Sequence, residues 1–560
     1  MDSGAGAGGA DGATSSVAGN GGVAGDQDLG GGGALDEPGV AISRYDYRLD
    51  LASREAESTL TFDVTRSGSG CVNLKSSLPV RDTLAPLGFE LAQRADELAL
   101  CGSFTAGNAV QLSTKQTVIE AADPKTQVGF SRRPDRANRE FSYLLGWLEQ
   151  CPRFGPCDPA PQRLTHYTFD VSHATADVVL CPGVRTFTEG STHCELLDTL
   201  APSYSSFAIA SDSGWARTPL VTAAGVSVVL YDTPAGSLYG GLDAASFGDF
   251  LEWLTQLLGP YPYGDELRVA SAPTTFLGME HPANIVVRDD LTNLFVGYSN
   301  VPMHVLLHET VHQWAGNRTT LSSTLDYLWK EAIAEYLAYV FEDERRPFPE
   351  AMSARSLWHN TGLGAPYPIR PLTPPPLPLE DWAAGGYDTA PLALFVQLEP
   401  WLGRPAVLAA IQLFLRDPVA RSMDDLRAAL ETTSRLELAN YFAAWVFGDE
   451  PVEWPVVSAT VQQTGSEATV TLTQSQSRGR IFPCVIDVEL KTANETAVAH
   501  VDFGLSPSST SAAASVVLDE PVVSVSIDPE RRVLVFPAPA AAAAPAAPPT
   551  RLAPRVPFHP

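Results

Sequence analysis

VPMHVLLHETVHQWAG (301–316) and LDYLWKEAIAEYLAY (325–339) are the two stretches on which the reading of this chain turns. The first contains His308-Glu309-Thr310-Val311-His312, an HExxH pattern. Residues four apart share a helix face, so both imidazoles can bind one metal while Glu309 points at its bound water. The segment is mostly apolar, and Gly316 sits where a helix C-cap would. HExxH arises by chance in about one chain in a hundred of this composition, so the argument needs a third ligand. Zinc in hydrolases takes three protein ligands and keeps one position for water. Glu331 lies 19 residues after His312, a distance that a turn and an antiparallel helix can span. Glu335, one turn later, satisfies the spacing equally well. His304 could share the His308 face, but a packed or solvent-facing histidine is the better reading.

Outward from this core the texture of the chain changes. Residues 41–232 carry short alternating segments, such as YDYRLDL, STLTFDV, HYTFDV and VSVVLY, separated by turn residues; this is a strand pattern. Residues 233–450 carry helical spacing in SFGDFLEWLTQLLG, the two stretches above, PLALFVQLEPWLG and MDDLRAALETTS. Strands return over 451–536 (ATVTLTQ, CVIDVEL, AVAHVDF, VVSVSID), which predicts a small β-sandwich. Residues 1–40 are a Gly/Ala-rich disordered tether, and 537–560 form a Pro/Ala-rich tail. The whole reads as a multidomain α+β chain: a β domain, a mainly helical one and a β-sandwich.

A net charge of −28 over 560 residues leaves no basic surface to displace counterions, which argues against a nucleic-acid partner. No apolar run approaches the ~18 residues of a transmembrane segment. The start of the chain lacks the charged and apolar regions of a signal peptide. Six of the seven cysteines (Cys71, Cys101, Cys151, Cys157, Cys181, Cys194) nevertheless fall between positions 71 and 194, with Cys484 apart. This clustering suits disulfides and an extracytoplasmic chain, secreted or surface-tethered; sequence does not give the pairing, and buried thiols are the alternative.

The motifs resemble those of the aminopeptidase N family of zinc metallopeptidases, in the gluzincin clan, whose pattern is HExxH, eighteen residues, then Glu. HETVHQWAGN matches the family's HExxHQWxGN, and LDYLWKEAIAEY matches its ND-x-W-x-NEGFA-x-Y segment through Asp326, Glu331, Ala334 and Tyr336. LGMEHP (277–282) resembles GxMEN, and FGPCDPA (154–160) resembles FPCFDEPA. The resemblance implies a saddle-like N-terminal β domain and a thermolysin-like catalytic domain. It also implies one catalytic zinc ion on His308, His312 and Glu331, with Glu309 as general base for a metal-activated water. Glu280 would bind the α-amine of a peptide substrate, with Gly278 and Met279 lining that pocket. Tyr387, in GGYDTAPLALF, would donate to the oxyanion, a packed helix-start tyrosine being the alternative. Asp326 would either support a ligand histidine or cap a helix.

The implied activity is zinc-dependent removal of N-terminal residues from peptides. The chain departs from the family where GxMEN reads LGMEH (Leu277, His281), where NEGFA reads KEAIA (Lys330, Ala332), and where a lysine after Tyr387 is Thr389. These changes leave metal and base intact but touch amine recognition. A zinc endopeptidase, another hydrolase with altered amine recognition, or a catalytically silent binding protein are the competing readings. The Pro-rich run 368–382 is expected to rim the cleft. Oligomeric state is not legible.

Overall fold

The computed structural model describes residues 38–538, except 121–127, 234, 235, 237, 294–299, 346–349, 365–369, 372–392, 449–452 and 476–479. The expected tether, most of the tail and most of the Pro-rich run lie outside the described residues.

Alternation in the N-terminal third translates directly into pairing. Strands β1 (Gly39–Asp50) and β2 (Glu55–Arg66) are antiparallel, and β3 (Ala109–Thr117) adds to β2. Every second residue, Tyr45, Tyr47 and Leu49 on β1 and Leu60, Phe62 and Val64 on β2, is buried. Strand β4 (Glu140–Leu145) belongs to a second, four-stranded sheet. Strand β5 (Leu164–Ser172) returns to lie parallel to β1, and β6 (Ala208–Asp212) pairs with β4. Phe207, just before β6, meets the rings of Tyr45 and Tyr47 edge-on at 5.3 and 5.4 Å, which ties the two sheets together.

A mixed five-stranded sheet carries the middle of the chain. It comprises β7 (Ala216–Ala223), β8 (Val226–Asp232), β9 (Glu266–Ala272), β10 (Gly278–His281) and β11 (Asn284–Arg288), in the order β7-β8-β9-β11-β10. Strands β8, β9 and β11 are parallel, and β10 is an antiparallel edge. The sheet draws strands from both sides of residue 232. Helix α1 (Ala244–Leu258) connects β8 to β9; Asp243 caps it by accepting from Ser246 N, and it buries Phe247, Phe250, Leu251, Leu254 and Leu258. Helices α2 (Val301–Val311), α3 (Tyr327–Arg345) and α4 (Met423–Ser434) follow. Towards the C-terminus two sheets form the expected β domain, one with Val456–Thr464, Glu467–Ser475 and Ser511–Val517, the other with Val485–Lys491, Thr496–Asp502 and Ser524–Ile527. Their buried residues again alternate: Val470 and Leu472, Ile486, Val488 and Leu490.

The clustered cysteines form three disulfides, Cys71–Cys101, Cys151–Cys157 and Cys181–Cys194, and Cys484 is a buried free thiol. Among the described residues no helix is long and apolar enough to cross a membrane.

Arg268 on β9 is fully buried and fastens the Cys181–Cys194 segment to the sheet. Its guanidinium donates to Asn284 Oδ1 at 2.5 Å, to the Cys181 carbonyl at 3.2 Å and to the Gly183 carbonyl. Replacing it strands two buried carbonyls. Arg268→Met is expected to lower stability by about 2–4 kcal/mol, seen as a lower urea midpoint at unchanged slope. An unmoved midpoint would show that the guanidinium does not hold this segment.

Candidate metal centre and active site

Asn300 caps α2 by accepting from Met303 N at 3.2 Å, and Pro302 sits in the first turn, where its missing N–H costs nothing. The helix stops at Val311 with His312 as its C-cap, earlier than the predicted stop near Gly316. Gly316 instead turns the chain at φ 118°, its N–H donating to the Thr319 carbonyl. His304, His308 and His312 therefore follow at four-residue intervals along one side of α2. Helix α3 runs antiparallel to it and presents Glu331, Glu335 and Glu342.

The two rows interlock. Glu331 Oε2 lies 3.1 Å from His308 Nε2 and 3.5 Å from His312 Nε2. Glu335 Oε2 lies 2.9 Å from His308 Nδ1, and its Oε1 lies 3.3 Å from His304 Nε2. His304 Nδ1 meets Glu342 Oε1 at 2.9 Å. Spacing left Glu331 and Glu335 as rivals; the geometry brings Glu331 to both imidazoles and sets Glu335 behind His308. His304 is packed, away from the trio but linked to it through Glu335. Burial alone would lower its pKa, but Glu342 and Glu335 override that and hold it at about 10.

One atom each from His308, His312 and Glu331 lies within 4.8 Å of the others. The proton inventory says what such a trio accepts. His312 Nδ1 donates to the Ala315 carbonyl at 3.0 Å, and a carbonyl cannot donate back, so its Nε2 is a bare lone pair. His308 Nδ1 faces the Glu335 carboxylate, which directs the other nitrogen inward as well. The two Nε2 atoms stand 3.1 Å apart with the Glu331 oxygen beside them. Three Lewis bases thus converge, a donor set that fits a divalent metal.

Glu309 adjoins this trio. Its carboxylate is buried, and Oε2 has no hydrogen-bond partner among the described residues. Burial pushes the carboxyl up to about 8, a shift His308 only partly offsets and a bound cation would oppose. Gly278, on the facing edge strand β10, makes room for it: a Cβ there would collide with the Glu309 side chain. Glu280 lies on the same side of β10, and its carboxylate, that of Glu309 and a His312 nitrogen lie within 4.8 Å of one another. Met279 does not join them. Strand alternation turns it to the opposite face, where it packs in a core cluster with Tyr143, Ala270 and Val286.

Glu280 Oε1 is 2.8 Å from Lys330 Nζ, which also donates to Glu331 Oε1 at 2.6 Å. Burial would raise the Glu280 pKa, but Lys330 and His312 together outweigh it and the net shift is downward. His281 points away; its Nδ1 donates to the Ser205 carbonyl at 3.0 Å and its Nε2 accepts from Tyr143 at 2.6 Å, and burial lowers its pKa to about 4. Gln313 binds β10 to the end of α2 by donating to the His281 carbonyl and accepting from Ala283 N.

Asp326 takes the capping alternative: it accepts from Ser323 Oγ and from Met423 N at the start of α4. Tyr387 lies outside the described residues. Spacing offers Glu335 and could have flagged Glu342 as well, since both recur on the α3 face opposite His304 and His308; nothing in the sequence pointed to Tyr143.

An HExxH helix, a carboxylate from an antiparallel second helix and an edge strand beside them come together here as the motifs predict. Residues 248–365 match the Peptidase family M1 domain. That stretch is thus similar to the domain of peptidase family M1, the family of aminopeptidase N-like metallopeptidases that the motifs resemble. The crystal structure of Legionella pneumophila aminopeptidase A in complex with aspartic acid shares the fold, with a TM-score of 0.70 at 14% identity. The match covers 90% of this chain and 60% of that one, so this chain spans less than two thirds of its length. No curated protein matches the chain by sequence.

Glu335→Gln weakens the acceptor behind His308 while keeping its shape. It is expected to weaken divalent-metal retention about 10–100-fold, measured by competition with a chromogenic chelator. Unchanged retention would remove Glu335 from the support of the ligand.

Proposed function

We propose that this chain is a zinc-dependent peptidase of the aminopeptidase type. The observation that carries the reading is the convergence of His308 Nε2, His312 Nε2 and Glu331 beside a buried carboxylate, Glu309, that has a partnerless oxygen. Two imidazoles and one carboxylate are a ligand set zinc favours in hydrolases. When bound, zinc supplies a Lewis acid that polarises the scissile carbonyl and makes water acidic enough to attack near neutral pH. His308, His312 and Glu331 would hold the ion, and Glu335 would orient His308. Glu309 Oε2 takes the proton of the attacking water and returns it to the leaving nitrogen. Gly278 leaves the space in which that carboxylate moves. Glu280 faces the N-terminal end of the peptide, and Tyr387 remains the proposed oxyanion donor. Three disulfides are compatible with the extracytoplasmic location we propose. A second reading, a zinc hydrolase with altered recognition of the amine end, is favoured by one observation: Glu280 is already paired with Lys330.

Zinc-loaded protein is expected to cleave peptide amides, to lose that activity to a chelator and to recover it with zinc. Glu309→Gln should retain zinc yet lose about 10²–10⁴-fold in kcat. Adding zinc to stripped protein should also raise Tm, since a ligand held only by the native state stabilises it by about 4 kcal/mol at a thousand times Kd. Zinc-loaded protein that cleaves no peptide, free or blocked, would count against the enzyme and for a silent scaffold.

A further inference from the structure

Glu280 offers a buried negative charge beside the metal trio, and such a charge requires a cation. In the aminopeptidase reading that cation is the substrate's α-ammonium. Here the chain supplies its own. Lys330 Nζ lies 2.8 Å from Glu280 Oε1, 2.6 Å from Glu331 Oε1 and 4.9 Å from the centre of the Tyr327 ring. Lys330 and Glu280 are 1% and 5% exposed. An ammonium has three donors; two meet carboxylates and the charge rests against an aromatic face. The stem is confined too. A Cβ at Gly316 would stand 2.8 Å from Lys330 Cε and 2.9 Å from Cδ, so the lysine stem fills the space a side chain at 316 would need.

We propose that Lys330 is a built-in counter-ion that takes the place of the substrate's α-ammonium at Glu280. The substrate class of this site is then peptides presenting an uncharged amide there: N-acylated peptides, or bonds inside a longer chain. An arriving ammonium would put two cations against one carboxylate in a buried site, whereas an amide brings no charge and its carbonyl oxygen accepts from Lys330. The inference rests on the second reading above, a zinc hydrolase with altered recognition of the amine end, and names the substrate class of that same site.

The test uses the full zinc-loaded chain in two arms. In the Glu309→Gln background, calorimetry compares Leu-Ala-Ala amide with its N-acetyl form. The acetylated peptide is expected to bind at least as tightly as the free one. Lys330→Asn and Lys330→Met, the second keeping the packed stem, should shift the ratio by 10-fold or more towards the free amine; Lys330→Arg should keep the original order. Tenfold tighter binding of the free amine with Lys330 present would overturn the proposal. So would an unchanged order in folded Asn and Met variants, or no binding of either peptide. In the second arm, chelator-sensitive cleavage by the chain with Glu309 intact is read by mass spectrometry. Release of an acetyl-amino acid identifies blocked ends as the source, and internal fragments identify endopeptidase action. If the binding order holds but neither peptide is cut, the peptidase reading fails and the assignment of Lys330 stands.

Discussion

Charge neutralisation between two helices and an edge strand is the constraint on which this site depends. Glu280, Glu309, Glu331, Glu335 and Glu342 are all buried around the contact of α2 with α3 and β10. Burying an ion without a partner costs several kcal/mol, so five carboxylates in one place demand cations at fixed positions. Lys330 stands between Glu280 and Glu331, and His304, held protonated, between Glu335 and Glu342. With a divalent ion on the trio, five negative charges meet two from Lys330 and His304 and two from the ion. One negative charge is left over. On α2 the carboxylate with an oxygen that has no partner among the described residues is Glu309, the proposed base.

That balance holds only if β10 stays against α2, and the local backbone is built for it. The turn from β10 to β11 passes through Pro282 and Ala283, the latter at φ 64°, a left-handed conformation disfavoured for a residue with a Cβ. Gln313 holds this turn, accepting from Ala283 N and donating to the carbonyl of His281. On the far side of β10, His281 is locked between Ser205 and Tyr143, which joins the edge strand to the four-stranded sheet. The unusual histidine of the LGMEH motif therefore anchors the strand rather than facing a substrate.

Much of this was legible because the spacing of His308, Glu309, His312 and Glu331 is local to two helices, and helix geometry converts spacing into direction. The β regions were legible for a similar reason: alternation over β1 and β2 names the buried face without knowledge of partners. Long-range pairing was not. Nothing in the pattern of 216–232 shows that β7 and β8 join β9 across the change of texture at residue 232. Strand alternation could have warned that Gly278 and Glu280 face one way and Met279 the other, but motif resemblance treats neighbours as one pocket. The cysteines clustered visibly, yet their pairing depends on the fold. Asp326 shows the limit of a chemical argument: two roles fitted the sequence, and only the position of Met423 N decides between them.

Lys330 illustrates how one departure inside an otherwise matching motif can change a site more than its conservative surroundings suggest. As a residue name it is one change in KEAIA. In space its ammonium spans Glu331 Oε1, the outer oxygen of a proposed metal ligand, and Glu280 Oε1. Holding the outer oxygen leaves Oε2 turned to the two imidazoles, so the same cation orients a ligand and fills the neighbouring anionic subsite. The two effects are coupled through one buried side chain. A free amine could therefore gain Glu280 only by taking Lys330 from it, which would also disturb the orientation of Glu331. An uncharged amide asks for neither, and leaves the metal side of the site as the fold built it.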